Sequence, residues 1–133
     1  MSIQSLVLCP TRELAEQVAS ELRKFARSSH NVKILLLCGG VPCRQQRFSL
    51  EHGAHIIVGT PGRILQHLEE GALFLNDVET LVLDEADRML DMGFFEDIEK
   101  IISKVPTKRQ TLLFSATFPK EIERICKQVQ NDA

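Results

Sequence analysis

The chain has 133 residues, a formal net charge of −2, 44% hydrophobic residues and 26% charged residues. That is the length of one domain, able to bury a core without disulfide or metal staples. Its apolar runs are far short of the ~20 residues of a membrane span, no secretory signal pattern opens it, and its charge does not suit a module that grips polyanions through bulk positive charge. The default reading is a cytoplasmic (or nuclear) protein with no membrane partner, in which nucleic-acid binding through a few loops and helix starts stays open.

In chain order, the first apolar run covers 6–9 and reads as a strand. A helix over about 13–27 follows, with Leu14, Val18, Leu22 and Phe25 on one face. The next strand spans 32–38, and a fainter helical pattern covers 44–51. A strand over 55–58 precedes a helix marked by Ile64, Leu65 and Leu68 and closed by Gly71. The run 81–83 is the fourth strand; Phe94, Ile98, Ile101 and Ile102 mark a helix ended by Pro106. A strand over 111–114 leads to a last helix opened by Pro119 and carrying Ile122, Ile125 and Val129. Short Val-, Ile- and Leu-rich runs alternating with amphipathic helices predict an α/β fold, a parallel sheet with helices on its faces.

Two residue types carry little chemistry. Cys9, Cys38, Cys43 and Cys126 lack the paired spacing of a zinc site, and Cys9 and Cys38 sit in apolar runs, so all four read as structural thiols. His30, His52, His55 and His67 show no ligand or triad spacing and read as surface or packing residues.

The polar residues are informative by position. Each strand is followed at once by a polar, Gly or Pro cluster: Pro10-Thr11-Arg12-Glu13, Gly39-Gly40, Thr60-Pro61-Gly62-Arg63, Asp84-Glu85-Ala86-Asp87 and Ser115-Ala116-Thr117. In a parallel sheet all five lie at the carboxyl edge, where open α/β sheets bind ligands. Asp84 and Glu85, ending an apolar strand, have the pattern by which nucleotide hydrolases hold Mg2+ and handle a proton of the attacking water. Asp is equally favoured at a helix N-cap, and Asp87 equally as an acid of a first helical turn, so both readings stand at this point. Thr11 with Arg12, Gly39 with Gly40, and Thr60 to Arg63 open elements with free amides suited to anions. Each alone is no better than a structural cap. Together on one edge they outline a track for a phosphate backbone.

These clusters, in this order and spacing, resemble the motifs of the first RecA-like domain of DEAD-box RNA helicases. Residues 84–94, reading DEADRMLDMGF, and 109–117, reading RQTLLFSAT, extend the resemblance over nearly the whole chain. The stretch LVLCPTRELAEQV is similar to the bacterial DbpA-like branch, which the family associates with ribosomal RNA. The resemblance implies a RecA-like fold of the P-loop NTPase type with helices on both sheet faces, the chain 1–133 being a partial first domain, N-terminally truncated. It implies ATP and Mg2+ as cofactors and RNA and a second RecA-like domain as partners. Asp84 would hold magnesium through water, Glu85 would orient or deprotonate the hydrolytic water, and Asp87 would bond Ser115 and Thr117 to couple nucleotide state to RNA handling. Pro10, Thr11, Arg12, Gly39, Gly40, Thr60, Pro61, Gly62 and Arg63 would contact one strand's sugar–phosphate backbone.

One family part has no counterpart: G-x-x-x-x-G-K-[ST] is absent from these residues. The chain alone is therefore expected not to hydrolyse ATP, and a sheet face or edge left uncovered is expected to favour self-association. A nonenzymatic RNA- or protein-binding module is the alternative reading, and a phosphatase-type enzyme with Asp84 as nucleophile is a third.

Overall fold

Runs such as Leu6-Val7-Leu8 are β-prone and apolar on both faces, so they are stable only between two helical layers. The computed structural model describes residues 2–27 and 31–131. His30 and the side chain of Val129 lie outside the described residues. The elements are β1 (Ser5–Leu8), α1 (Arg12–Ala26), β2 (Ile34–Leu37), α2 (Cys43–His52), β3 (Ile56–Gly59) and α3 (Pro61–Glu69). They continue with β4 (Thr80–Leu83), α4 (Ala86–Asp91), α5 (Phe95–Ser103), β5 (Gln110–Leu113) and α6 (Lys120–Asn131). The strands form one parallel sheet in the order β2-β3-β1-β4-β5. The expected α/β class and parallel sheet are observed. The fainter pattern at 44–51 is a full helix, α2.

The two faces are covered unequally. Val7, Cys9, Ile34, Cys38 and Val58 point to α1, which seats Ala15 and Ala19 against them. On the other face, Leu6, Leu8, Ile57, Leu81 and Leu83 meet buried residues of α3, α4, α5 and α6. Ile122 and Ile125 anchor α6 there, each fully buried and contributing about 1.5–3 kcal/mol.

Two expectations need correction. Phe25, read as part of the apolar face of α1, is 77% exposed; the small residues Ala15 and Ala19 meet the sheet and let the helix lie close to it. The strand expected over 111–114 is not buried on both faces, since Leu112 and Phe114 are 39% and 55% exposed. Among the described residues no helix covers that part of the sheet on the α1 side, and β5 pairs with β4 alone. The helix marked by Phe94, Ile98, Ile101 and Ile102 is present as α5, and a further short helix, α4, precedes it; Gly93 adopts φ 85° and turns the chain between them.

Candidate functional site

Strand register decides whether the five polar clusters meet. Leu37, Gly59, Leu8 and Leu83 are paired across neighbouring strands, and Leu83 is paired with Leu113. All five strands therefore end level, and the residues after them form one rim. The rim is laced by backbone bonds: Thr60 N to Leu37 O at 3.2 Å, Cys9 N to Gly59 O at 2.9 Å, and Asp84 N to Leu8 O at 3.0 Å. Phe114 N to Leu83 O at 2.9 Å completes it. The sheet order sorts the rim into two contiguous halves. The loops after β2, β3 and β1 carry glycine, threonine and arginine; those after β4 and β5 carry the acids and hydroxyls. They join between β1 and β4, where successive connections run to opposite sides of the sheet, the usual ligand crevice of such folds.

In the acidic half, helix capping uses neither carboxylate of the Asp84-Glu85 pair. Glu85 is the N-cap residue of α4, with no side-chain cap bond, and its backbone is left-handed at φ 50°, ψ 53°. That conformation costs a non-glycine residue on the order of 1–2 kcal/mol and persists only where the surroundings enforce it. Here Ala86 N donates to Phe114 O at 2.9 Å, which holds the turn against β5. Burial, then the charge of Glu85, push the Asp84 carboxyl above its ordinary range, against the opposing effect of a backbone hydrogen bond from Glu85. A cation would relieve both causes, and one hard carboxylate oxygen at Asp84 suits a magnesium ion that keeps several of its waters. Glu85 Oε1 lies 3.4 Å from Arg88 NH1, an exposed pair. Asp84, Glu85, Asp87, Arg88, Phe114, Ser115 and Ala116 line an open cleft of about 470 Å³.

Asp87 links the two acidic-half loops. Its Oδ2 accepts from Thr117 Oγ1 at 3.1 Å and Thr117 N at 3.2 Å, and its Oδ1 from Arg88 N at 3.0 Å. Desolvation raises the Asp87 pKa, but bonds from Thr117 and Arg88 outweigh it and hold the carboxyl below the usual range. Of the two bonds expected at Asp87, the one from Thr117 is therefore present; the Ser115 hydroxyl donates instead to the Thr117 carbonyl, at 2.5 Å, and braces that loop.

In the basic half, Thr11 caps α1, its Oγ1 accepting from Leu14 N at 3.2 Å. Thr60 precedes α3 without a side-chain cap bond, so its hydroxyl is not consumed there. Pro10 and Pro61 are buried and shape the backbone, whereas Arg12, Gly39, Gly40 and Gly62 are exposed. Gly40 has φ 90°, and a Cβ on it would collide with the Arg12 guanidinium, which lies over it while paired to Glu16 at 2.9 Å. Arg63 NH1 donates to Val41 O at 2.7 Å, tying α3 to the glycine loop.

Sequence reasoning missed Gln46, buried between these loops, and the burial of His67 beside it. Nothing in the polar stretch Arg44-Gln45-Gln46-Arg47 distinguishes Gln46 from its neighbours. It also missed Gly59, where a Cβ would strike the Leu37 carbonyl. The four cysteines are free thiols; burial first, then nearby charge, pushes Cys9 up to about 12, and burial pushes Cys38 up to about 11. Both stay protonated and unreactive.

Comparison with known proteins agrees with this geometry. The sequence model of the DEAD/DEAH box helicase family matches residues 1–125. The ATP-dependent RNA helicase DbpA of Escherichia coli K12 is 60% identical over 129 residues, covering 97% of this chain and 28% of that protein. The DEAD-box ATP-dependent RNA helicase CshA of Streptococcus pneumoniae TIGR4 is 58% identical over 124 residues, covering 93% of this chain and 24% of that protein. The crystal structure of a DEAD box protein from the hyperthermophile Methanococcus jannaschii superimposes with TM-score 0.91 at 45% identity, covering 97% of this chain and 35% of the other. The chain thus spans between 24% and 35% of the length of these relatives.

Proposed function

The chain belongs to the DEAD/DEAH box helicase family, and on that footing we propose that it is part of the first RecA-like domain of an ATP-dependent RNA helicase. The observation that supports this most is the sorted rim: a contiguous run of glycine, threonine and arginine loops beside a contiguous acidic cleft. A phosphatase-type role for Asp84 leaves the basic half without a purpose.

In this reading one RNA strand lies along the basic half, held by Thr11, Arg12, Gly39, Gly40, Thr60, Gly62 and Arg63. Pro10 and Pro61 set the backbone that they shape. Such contacts go to phosphate and sugar, so binding tolerates sequence, and the 2′-hydroxyl separates RNA from DNA. In the acidic half Asp84 is the residue that would hold Mg2+, which supplies charge neutralisation beside the phosphates of ATP. Glu85 would orient or deprotonate the attacking water. Asp87 with Thr117 and Ser115 carries changes at the acids to the β5 loop. Remodelling of duplexes needs a second RecA-like domain as partner, and ribosomal RNA is the substrate class we favour. We assign the protein to the cytoplasm, a reducing compartment that suits four free thiols.

Within the chain, G-x-x-x-x-G-K-[ST] does not occur, which favours binding without hydrolysis for these residues alone. The bare strip of sheet at Leu112 and Phe114 favours self-association of the isolated chain.

Fluorescence anisotropy with a labelled single-stranded RNA tests the reading. Binding is expected to be indifferent to base sequence and stronger than to the same DNA sequence. It should weaken steeply with salt, with a slope of about −0.7 per phosphate neutralised. Arg12→Ala and Arg63→Ala should each reduce it. A folded chain that binds no RNA at low salt would overturn the proposal.

A further inference from the structure

Behind the basic half of the rim lies a buried polar cluster. Gln46, on α2, is 4% exposed, yet its amide serves three residues, one at the end of β2 and two on α3. Its Nε2 donates to the carbonyl of Cys38, just past β2, at 2.9 Å. Its Oε1 accepts from Arg63 NH1 at 3.0 Å and lies 2.7 Å from His67 Nε2, both residues of α3. A carbonyl only accepts, so Cys38 fixes which end of the amide is which. Oε1 must then face His67, and the ring carries its proton on Nε2. Nδ1 is left buried without a partner. Burial, then the charge of Arg63, lower the His67 pKa and keep the ring neutral.

The cluster has a direction. Arg63 NH1 also reaches Val41 O at 2.7 Å, so the glycine loop is held on both flanks, at Cys38 and at Val41, by one amide–guanidinium pair. Between those flanks Gly39 is open, with nothing within 4 Å of the place a Cβ would take, and Gly40 lies under Arg12. An apolar residue at 67 would fill α3's buried face without stranding a ring nitrogen, a costly arrangement. Fold stability alone therefore does not account for the pair.

We propose that Gln46, oriented by His67, is a positioning residue that locks the 39–41 loop and the Arg63 guanidinium into one rigid ledge for the phosphate backbone of an RNA strand. This inference rests on the RNA-binding reading above and adds two residues that touch no ligand themselves.

The test uses the 133-residue chain. Gln46→Met keeps side-chain length and removes all three bonds; Gln46→Glu keeps an acceptor for Arg63 and His67 but turns an oxygen toward the Cys38 carbonyl, so it releases that flank of the loop alone. Nitrogen-15 NMR reads the His67 tautomer and the order parameters of Gly39, Gly40 and Val41, and anisotropy reads affinity for a labelled oligouridylate. The parent ring should be neutral with its proton on Nε2. In Gln46→Met, verified as folded by its urea transition, the loop order parameters should fall from about 0.85 to below about 0.6. Its affinity should drop about tenfold, the loss expected for an interaction with a charged group. The double variant with Arg63→Ala should lose less than the sum of the two single losses, and Gln46→Glu, which frees only the Cys38 flank, should fall between the parent and Gln46→Met. Parent-like loop order and affinity in Gln46→Met, or a proton on Nδ1, would overturn the role given to Gln46 while leaving RNA binding intact. A parent that binds no oligouridylate, with the loop response present, would instead overturn the RNA reading and with it the purpose of the ledge.

Discussion

Replacing Gly59 by alanine probes whether the rim depends on close backbone packing. Gly59 ends β3, and its φ is not in the positive region, so conformational freedom is not the reason for glycine there. Space is. A methyl would collide with the Leu37 carbonyl on β2 and stand 2.9 Å from Cδ1 and 3.1 Å from Cγ1 of Ile64, a fully buried residue of α3. The carbonyl is backbone, already committed to Thr60 N at 3.2 Å, and cannot swing aside as the tip of a side chain can. Overpacking of this kind costs about 1–3 kcal/mol, so Gly59→Ala should lose about 2 kcal/mol, roughly thirtyfold in the unfolding equilibrium. The measurement is urea unfolding followed by circular dichroism, with an unchanged m-value. The same methyl at Gly39 meets nothing within 4 Å, so Gly39→Ala should stay within about 0.5 kcal/mol of the parent while weakening RNA binding. If Gly59→Ala unfolds at the parent's urea midpoint, the rim does not depend on this contact and the packing argument fails.

Other outcomes follow from the same geometry. The folded-state pKa of His67 is lowered, so the unfolded chain takes up the proton first; stability should be complete above about pH 6.5 and decline below it, and His67→Gln should flatten the difference between urea midpoints at about pH 7.5 and about pH 5.5. Malachite-green assays of the chain with ATP, Mg2+ and RNA should read background only; RNA-stimulated phosphate release would show that hydrolysis does not need the absent lysine loop. Light scattering should give a mass that rises with concentration, and Leu112→Thr with Phe114→Ser should shift the chain toward monomer; a monomeric parent at every concentration contradicts the bare-strip argument. Glu85→Gly should be about 1 kcal/mol more stable than Glu85→Gln, because glycine adopts the left-handed turn at φ 50° without a Cβ clash; the reverse ranking would mean that the turn carries no strain.

The five strands and the common edge were legible because period and composition speak directly to burial, and register then follows from parallel pairing. Thr11, Thr60, Asp84 and Thr117 stand where the alternation puts them. Leu14, Val18 and Leu22 pack at the edge of the contact as their spacing indicated, but Phe25 misled because helical spacing does not show how far along the helix the face is covered; the centre of the contact went to Ala15 and Ala19. Leu112 and Phe114 misled for a related reason, since an apolar run looks the same beside a bare face as beneath a helix. Gln46 was invisible because its burial comes from Arg63 and His67, 17 and 21 residues away, and no local pattern encodes that meeting. The break between α4 and α5 was readable in principle: Gly93 follows a six-residue helix and takes φ 85°.

The two halves of the rim are built to different stiffness, and that difference bears on how they communicate. The basic half is held by buried bonds at Gln46 and by the overlay of Arg12 on Gly40, so a bound strand would meet a surface already in place. In the acidic half the Asp87–Thr117 and Glu85–Arg88 contacts are exposed, and such pairs in water are individually weak. A coupling between sites needs an element with two arrangements of similar free energy, and rigid packing does not provide one. On the reading proposed above, the Asp87–Thr117 link, with the strained Glu85 beside it, is the element to test for a change of state. The backbone bonds from Asp84 N to Leu8 O and from Cys9 N to Gly59 O connect that link to the rigid half across β1. If the proposed RNA side and ledge hold, a change in the acids is expected to reach them as a small displacement of a preformed surface, which shifts of the Gly39 and Gly40 amide resonances on Mg2+ titration would read.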